Sequence, residues 1–76
     1  MNLIIIEQIN KDVISDIIGV GETMGICLNM IDEYYGGYRT ISVEDVRDSG
    51  IEYVYNIIAD EEELTIVFRG FNLNCI

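Results

Sequence analysis

Residues Ile51–Asn72, IEYVYNIIADEEELTIVFRGFN, decide the fold. On either side of a run of four acids, apolar residues fall on alternate positions, the period of a half-buried β-hairpin. The expected strands are 51–59 and 64–72, joined by the loop Asp60-Glu61-Glu62-Glu63. One face carries Ile51, Tyr53, Tyr55, Ile57, Leu64, Ile66 and Phe68, and should be core. The other carries Glu52, Val54, Asn56, Ile58, Thr65, Val67, Arg69 and Phe71, a mixed surface suited to solvent or to a second chain. A four-residue loop sets Ala59 opposite Leu64, Ile57 opposite Ile66, Tyr55 opposite Phe68, and Tyr53 over Gly70. Cross-strand pairs of this kind each contribute tenths of a kcal/mol to about 1 kcal/mol.

Upstream of the hairpin, Ser42-Val43-Glu44-Asp45 resembles a capping box, with Asp45 in place of the usual glutamate. It predicts a short helix through Val46 and Arg47, ended by Gly50, after a short strand over Tyr38–Ser42. Further back, Val13, Ile17, Val20, Met24, Cys27, Ile31 and Tyr34 are spaced alternately four and three apart, as on one helical face. Asn10 can cap that helix, and Gly36-Gly37 can stop it. Gly19, Gly21 and Gly25 lie inside the pattern, each at a cost of about 1 kcal/mol relative to alanine. Either one helix spans 11–35, or the chain breaks at Gly19-Val20-Gly21 into helices over 11–18 and 23–35. The break is the preferred reading. Three isoleucines in succession make 2–8 a strand. The whole is an α+β chain, expected to form one domain over 1–76. It should be a small two-layer sandwich in which an antiparallel sheet, with its C-terminal hairpin 51–59/64–72, packs against one or two helices from 11–35. The pattern leaves the strand order open.

Half of the 76 residues are hydrophobic, enough for a small core. A chain of this length buries only roughly 60–65% of the surface it exposes when unfolded, so a second copy could share the apolar load. Fourteen acids against four bases give a formal charge of −10. Phosphates are repelled by such a surface, which argues against nucleic acid and anionic membranes as direct ligands and favours a basic protein surface. Cys27 and Cys75 are the only cysteines; two make no disulfide framework, and both are expected as reduced thiols. No basic residue precedes the short apolar run Leu3–Ile6, and no run reaches the ~18–20 residues of a membrane span. The expected location is the cytoplasm, the host's if a phage encodes the chain.

Chemistry-bearing patterns are few. Gly19-Val20-Gly21-Glu22-Thr23-Met24-Gly25 departs from the dinucleotide fingerprint in its third glycine and lacks a P-loop lysine. Its glycines suit a helix break or a close backbone approach better than a phosphate. Asp60–Glu63 lacks the alternation, central glycine and distal glutamate of a calcium loop. With no histidine and no motif around Ser15, Ser42 or Ser49, neither catalysis nor a metal or cofactor site is expected.

What remains is charge with aromatics. The acids most clustered are Asp60, Glu61, Glu62 and Glu63 at the hairpin tip, and Glu44, Asp45 and Asp48 on the short helix. Tyr34, Tyr35 and Tyr38 flank the glycine pair, and tyrosine is enriched at interfaces. In size and charge the chain is similar to small acidic inhibitors made by phages and mobile elements against host nucleases, among them anti-CRISPR proteins, DNA mimics and nuclease immunity proteins. That similarity implies a non-enzymatic inhibitor whose carboxylates occupy a basic, nucleic-acid-binding surface of a partner. The alternative is a homodimeric structural subunit that buries the outer hairpin face, with acidity serving solubility.

Overall fold

The computed structural model describes residues 2–10, 15–49 and 52–72. In chain order its elements are β1 (Asn2–Ile9), β2 (Ser15–Gly21), α1 (Met24–Tyr35), β3 (Arg39–Asp45), a 3-10 turn (Arg47–Ser49), β4 (Tyr53–Ala59) and β5 (Glu62–Asn72). The strands form one antiparallel sheet in the order β2-β1-β5-β4-β3. The fold is therefore the expected small α+β sandwich, a five-stranded antiparallel sheet packed against one helix.

Connectivity explains the layering. α1 follows β2 at one edge of the sheet and precedes β3 at the other, so it must cross one face. It lies over β2 and β1. Thr23 caps its start, accepting a hydrogen bond from the Ile26 amide at 3.2 Å. Gly36, at φ 67°, ends it, and its amide bonds the Asp32 carbonyl. The inner face of the sheet meets the helix in a core of Ile4, Ile6, Ile57, Leu64, Ile66 and Phe68 against Cys27 and Ile31. The apolar hairpin face read from the sequence thus supplies much of the core.

Three expectations need correction. First, residues 15–18 are not helical; they belong to β2, paired with β1, while 11–14 lie outside the described residues. The four-three spacing there was a coincidence of phase, and the β-branched Ile17, Ile18 and Val20 suit a strand better. Gly19 and Gly21 serve close approach: a Cβ on Gly21 would stand 2.7 Å from the Cys27 sulfur, and one on Gly19 2.8 Å from the Met30 methyl. The preferred break was right for the second helix, which begins after Thr23. Second, Val43, Glu44 and Asp45 extend β3 along β4 and form no short helix. Thr40 to Val43 carry three β-branched residues, and pairing with β4 satisfies backbone groups that a one-turn helix would leave open.

Third, the hairpin turn uses two residues, not four. Asp60 and Glu61 sit at φ 51° and 65°, the geometry of a type I′ turn whose twist matches the flanking strands. Glu62 and Glu63 enter β5, so Ile57 faces Leu64, Tyr55 faces Ile66 and Tyr53 faces Phe68. The register moves by two, which keeps the paired side chains from Tyr53 to Phe68 on their expected faces, while Glu52, expected on the outer face, turns to the inner one. Gly70 lies opposite Ile4 of β1 and is covered by Glu52, not Tyr53; a Cβ there would meet the Glu52 carboxylate at 2.5 Å.

Candidate functional site

The turn, the helix and the sheet register together determine which acids share an end of the molecule. β2 starts beside Ile9, near the hairpin tip, and ends at Gly21 beside Ile4, near the other end. α1 then runs back, and its last residue, Tyr35, donates its hydroxyl hydrogen to Oε1 of Gln8 at 2.6 Å. The helix C-terminus therefore lies at the hairpin-tip end. Asp60, Glu61, Glu62 and Glu63 are all exposed there, joined by the exposed Asp32 and Glu33 of the last helical turn. That turn holds no basic residue, so the negative end of the helix dipole adds to the same field.

Glu44, Asp45 and Asp48 do not join this pole. Glu44 and Asp45 lie at the end of β3, opposite Val54 and Tyr53, and Asp48 is in the 3-10 turn beyond. As neighbours on a strand, Glu44 and Asp45 point to opposite faces. Asp45 is also partly neutralised. Arg47 donates to both its carboxylate oxygens, at 2.9 and 2.7 Å, and holds the carboxyl below the usual aspartate range. β4, seven residues long, separates the two ends by about 20 Å, more than the ~8–10 Å over which salt screens exposed charges. The two expected acidic clusters thus become a strong pole at the hairpin tip and a weaker, partly paired one opposite.

The tyrosines do come together. The Tyr34 and Tyr35 rings meet edge to face at 4.9 Å, and Tyr35 and Tyr38 at 6.4 Å. The Asp32 carboxylate lies near the Tyr38 phenol and acts on it electrostatically. Burial, then the neighbouring Tyr34 and Glu62, push the Tyr35 phenol up to about 12. Burial and Asp32 also raise Tyr38. Both phenols are thus neutral, Tyr35 is anchored on Gln8, and Tyr34 is 59% exposed. The sequence reading missed Asp32 and Glu33, whose signal was present: they stand one turn before the glycine stop with no base beside them.

The opposite sheet face has a different character. Among the described residues nothing crosses it. Register places Leu3, Ile5, Ile9, Val20, Val54, Ile58, Val67 and Phe71 on it. Val20 and Phe71 are each 45% exposed. Its charges are the ion pair Glu7–Arg69, at 3.1 Å, together with Arg39, Glu44 and Glu63 at the margins. A shallow depression of about 370 Å3 opens between Ile9 and Ile41. A polar ladder crosses it, Thr65 donating to Asn56 at 3.0 Å and Asn56 to Ser42 at 2.9 Å.

Cys27 is buried against Ile4 and Gly21, and burial pushes its thiol up. Among the described residues no three of His, Cys, Asp or Glu stand together as metal ligands, and no helix is long and apolar enough to cross a membrane. No family model, curated protein or solved structure matches the chain.

Proposed function

We propose that this chain is a non-enzymatic inhibitor whose acidic pole occupies a basic, nucleic-acid-binding surface of a partner protein. The observation that carries this reading is the convergence of Asp60–Glu63 with Asp32, Glu33 and the helix C-terminus, beside Tyr34, Tyr35 and Tyr38. Carboxylates held on a tight turn and a helix end present fixed negative charge much as a phosphate backbone does. Opposite potentials steer the encounter, and aromatic anchors slow dissociation. The conformation of the turn lends support. Asp60 and Glu61 occupy left-handed positions that Asn-Gly fills more easily, so acids stand at the tip despite a backbone cost. The reading implies a nuclease or another nucleic-acid-binding protein as partner, with no direct nucleic-acid contact. It is tested by capturing partners from lysate on the immobilised protein at low salt, then titrating the protein against labelled nucleic acid on the purified partner. Displacement of the nucleic acid supports the reading; simultaneous binding sinks it.

A second reading, a homodimeric structural subunit, draws on the uncovered sheet face, whose apolar residues and near balance of charge contrast with a chain of net charge −10. Sedimentation at low concentration separates the two. Tight dimers that dissociate on Val20→Glu or Phe71→Glu would favour the subunit, and monomers unaffected by either change would favour the inhibitor.

A further inference from the structure

The five tyrosines come from two stretches of the chain, 34–38 and 53–55, and Tyr35, Tyr38, Tyr53 and Tyr55 all pack against the same core. Tyr34, Tyr35 and Tyr38 follow one another as described, and the Tyr55 phenol acts electrostatically on that of Tyr38. Tyr55 and Tyr53 are next neighbours on the inner face of β4, their rings 6.5 Å apart and perpendicular. Tyr55 in turn packs edge to face on the buried Phe68 at 5.1 Å. The result is a band that starts at the acidic pole and runs along β4, beyond the part of the sheet that α1 covers. Carboxylates flank it at both ends: Glu62 and Asp32 at the pole, and Asp45 opposite Tyr53 at the far end.

The far end of the band already holds a guanidinium. Arg47 is bidentate on Asp45, and its Cζ lies 6.0 Å from the centroid of the Tyr53 ring. A planar cation is held by a carboxylate and placed over an aromatic face, the arrangement arginine favours and lysine's compact ammonium exploits less well. The same two ingredients, a tyrosine ring and an adjacent carboxylate, recur toward the pole with no arginine supplied by β4 or α1. Spacing adds a second constraint. Tyr35 and Tyr38 stand 6.4 Å apart and Tyr53 and Tyr55 6.5 Å, while Tyr34 and Tyr35 are closer, at 4.9 Å. Same-side residues of an extended chain are spaced by about 6.6 Å.

The geometry points to this band as the seat of an extended, arginine-bearing segment of the partner, with alternate arginines stacked on successive tyrosines and paired with the flanking carboxylates. This rests on the acidic-inhibitor reading and specifies its partner chemistry: arginine in preference to lysine, and an extended segment in preference to a rigid convex surface. Charge complementarity selects this occupant, since the band is rimmed by acids and continuous with the acidic pole.

The test uses the full chain and two short peptides, one alternating arginine with threonine, the other lysine with threonine. With no tryptophan in the sequence, intrinsic fluorescence comes from the proposed site itself. The arginine peptide is expected to change that emission and to bind about three- to fivefold more tightly than the lysine peptide. Tyr34→Leu, at the most exposed ring, should reduce that preference and leave lysine-peptide binding as it was. Ring-proton shifts in the unmodified protein give a measurement free of any folding effect, and they should move at several tyrosines together. Equal affinity for the two peptides, lost when Asp60–Glu63 are neutralised, would overturn the band while leaving the acidic pole standing. Ring shifts that stay in place while the peptide binds would do the same. Failure of both peptides to bind at low salt would overturn both readings.

Discussion

Asp60 and Glu61 have the most legible backbone conflict. Left-handed geometry costs a non-glycine residue roughly 1–2 kcal/mol, and both turn positions require it. The double change Asp60→Asn, Glu61→Gly should therefore stabilise the fold by about 1–2 kcal/mol in urea denaturation. If the tip is the binding pole, the same variant should bind its partner less tightly. A variant no more stable than the parent would show that the turn carries no strain. Gly21 has the opposite tolerance. An added methyl would meet the Cys27 sulfur at 2.7 Å, Ile26 at 3.2 Å and the Cys27 amide at 3.4 Å, none of which is a long flexible chain. Gly21→Ala should cost about 1–3 kcal/mol. Gly19→Ala, which meets mainly the end of Met30, should cost less; equal losses would contradict this account of the contact. Tyr35 contributes to the alkaline limb, alongside the raised Tyr38 and Cys27. Its folded value of about 12 lies above the ordinary 10.0, so the unfolded chain loses the proton first as pH rises. The stability contributed by the neutral phenol is complete below pH 10 and lost between pH 10 and 12. Tyr35→Phe should flatten that fall in a pH series of denaturation midpoints.

Among the elements, the hairpin was the most legible in the sequence, because alternation reports faces directly and both strands carry it. Register was less legible. A run of four acids does not say how many of them turn, and the answer depends on a backbone conformation these residues rarely adopt. Faces survived because the error was even, so Phe68→Ala and Ile66→Ala should each cost roughly 2–5 kcal/mol at positions fully buried in the core. Thr65 is half-buried and bonds only Asn56 across the outer face, so Thr65→Ala should cost no more than about 0.5–1.5 kcal/mol. A larger loss at Thr65 than at Ile66 would place the wrong face against the helix. β2 shows why the rest was hidden. Its apolar residues fit a helical phase, and the contrary signal was Gly19 and Gly21 two apart, facing a helix whose own position depends on the whole sheet. β3 was hidden for a similar reason: Glu44 and Asp45 resemble a capping sequence locally, and only the partner strand β4 gives them a ladder. The candidate site inherited this error, since Glu44 and Asp45, assigned to one helical face, in fact point to opposite sides of an edge strand, with Asp48 in the turn beyond.

At the scale of the whole molecule, a charge of −10 can act either as a total or as a pattern, and the two have different consequences. Acting as a total, it keeps chains apart and is insensitive to which acid is removed. Acting as a pattern, its effect on a partner depends on position, because screening limits each exposed charge to a range of about 8–10 Å at moderate salt. The hairpin-tip pole and the Glu44–Asp48 pole lie about 20 Å apart along β4, beyond that range. Two variants of equal charge loss separate the cases: Glu61→Gln with Glu62→Gln at the tip, and Glu44→Gln with Asp48→Asn at the far end. All four side chains are exposed and none is core, so the fold should persist in both. Asp45 is left intact because Arg47 already engages it. Against a captured partner, the tip variant should bind more weakly and show a shallower dependence of log Kd on log salt, since fewer of the partner's cations then exchange counterions for carboxylates. The far-end variant should match the parent in both slope and affinity, as isolated rim charges contribute little. Equal weakening by the two variants would mean that the partner senses total charge, and the acidic pole would then have no special role.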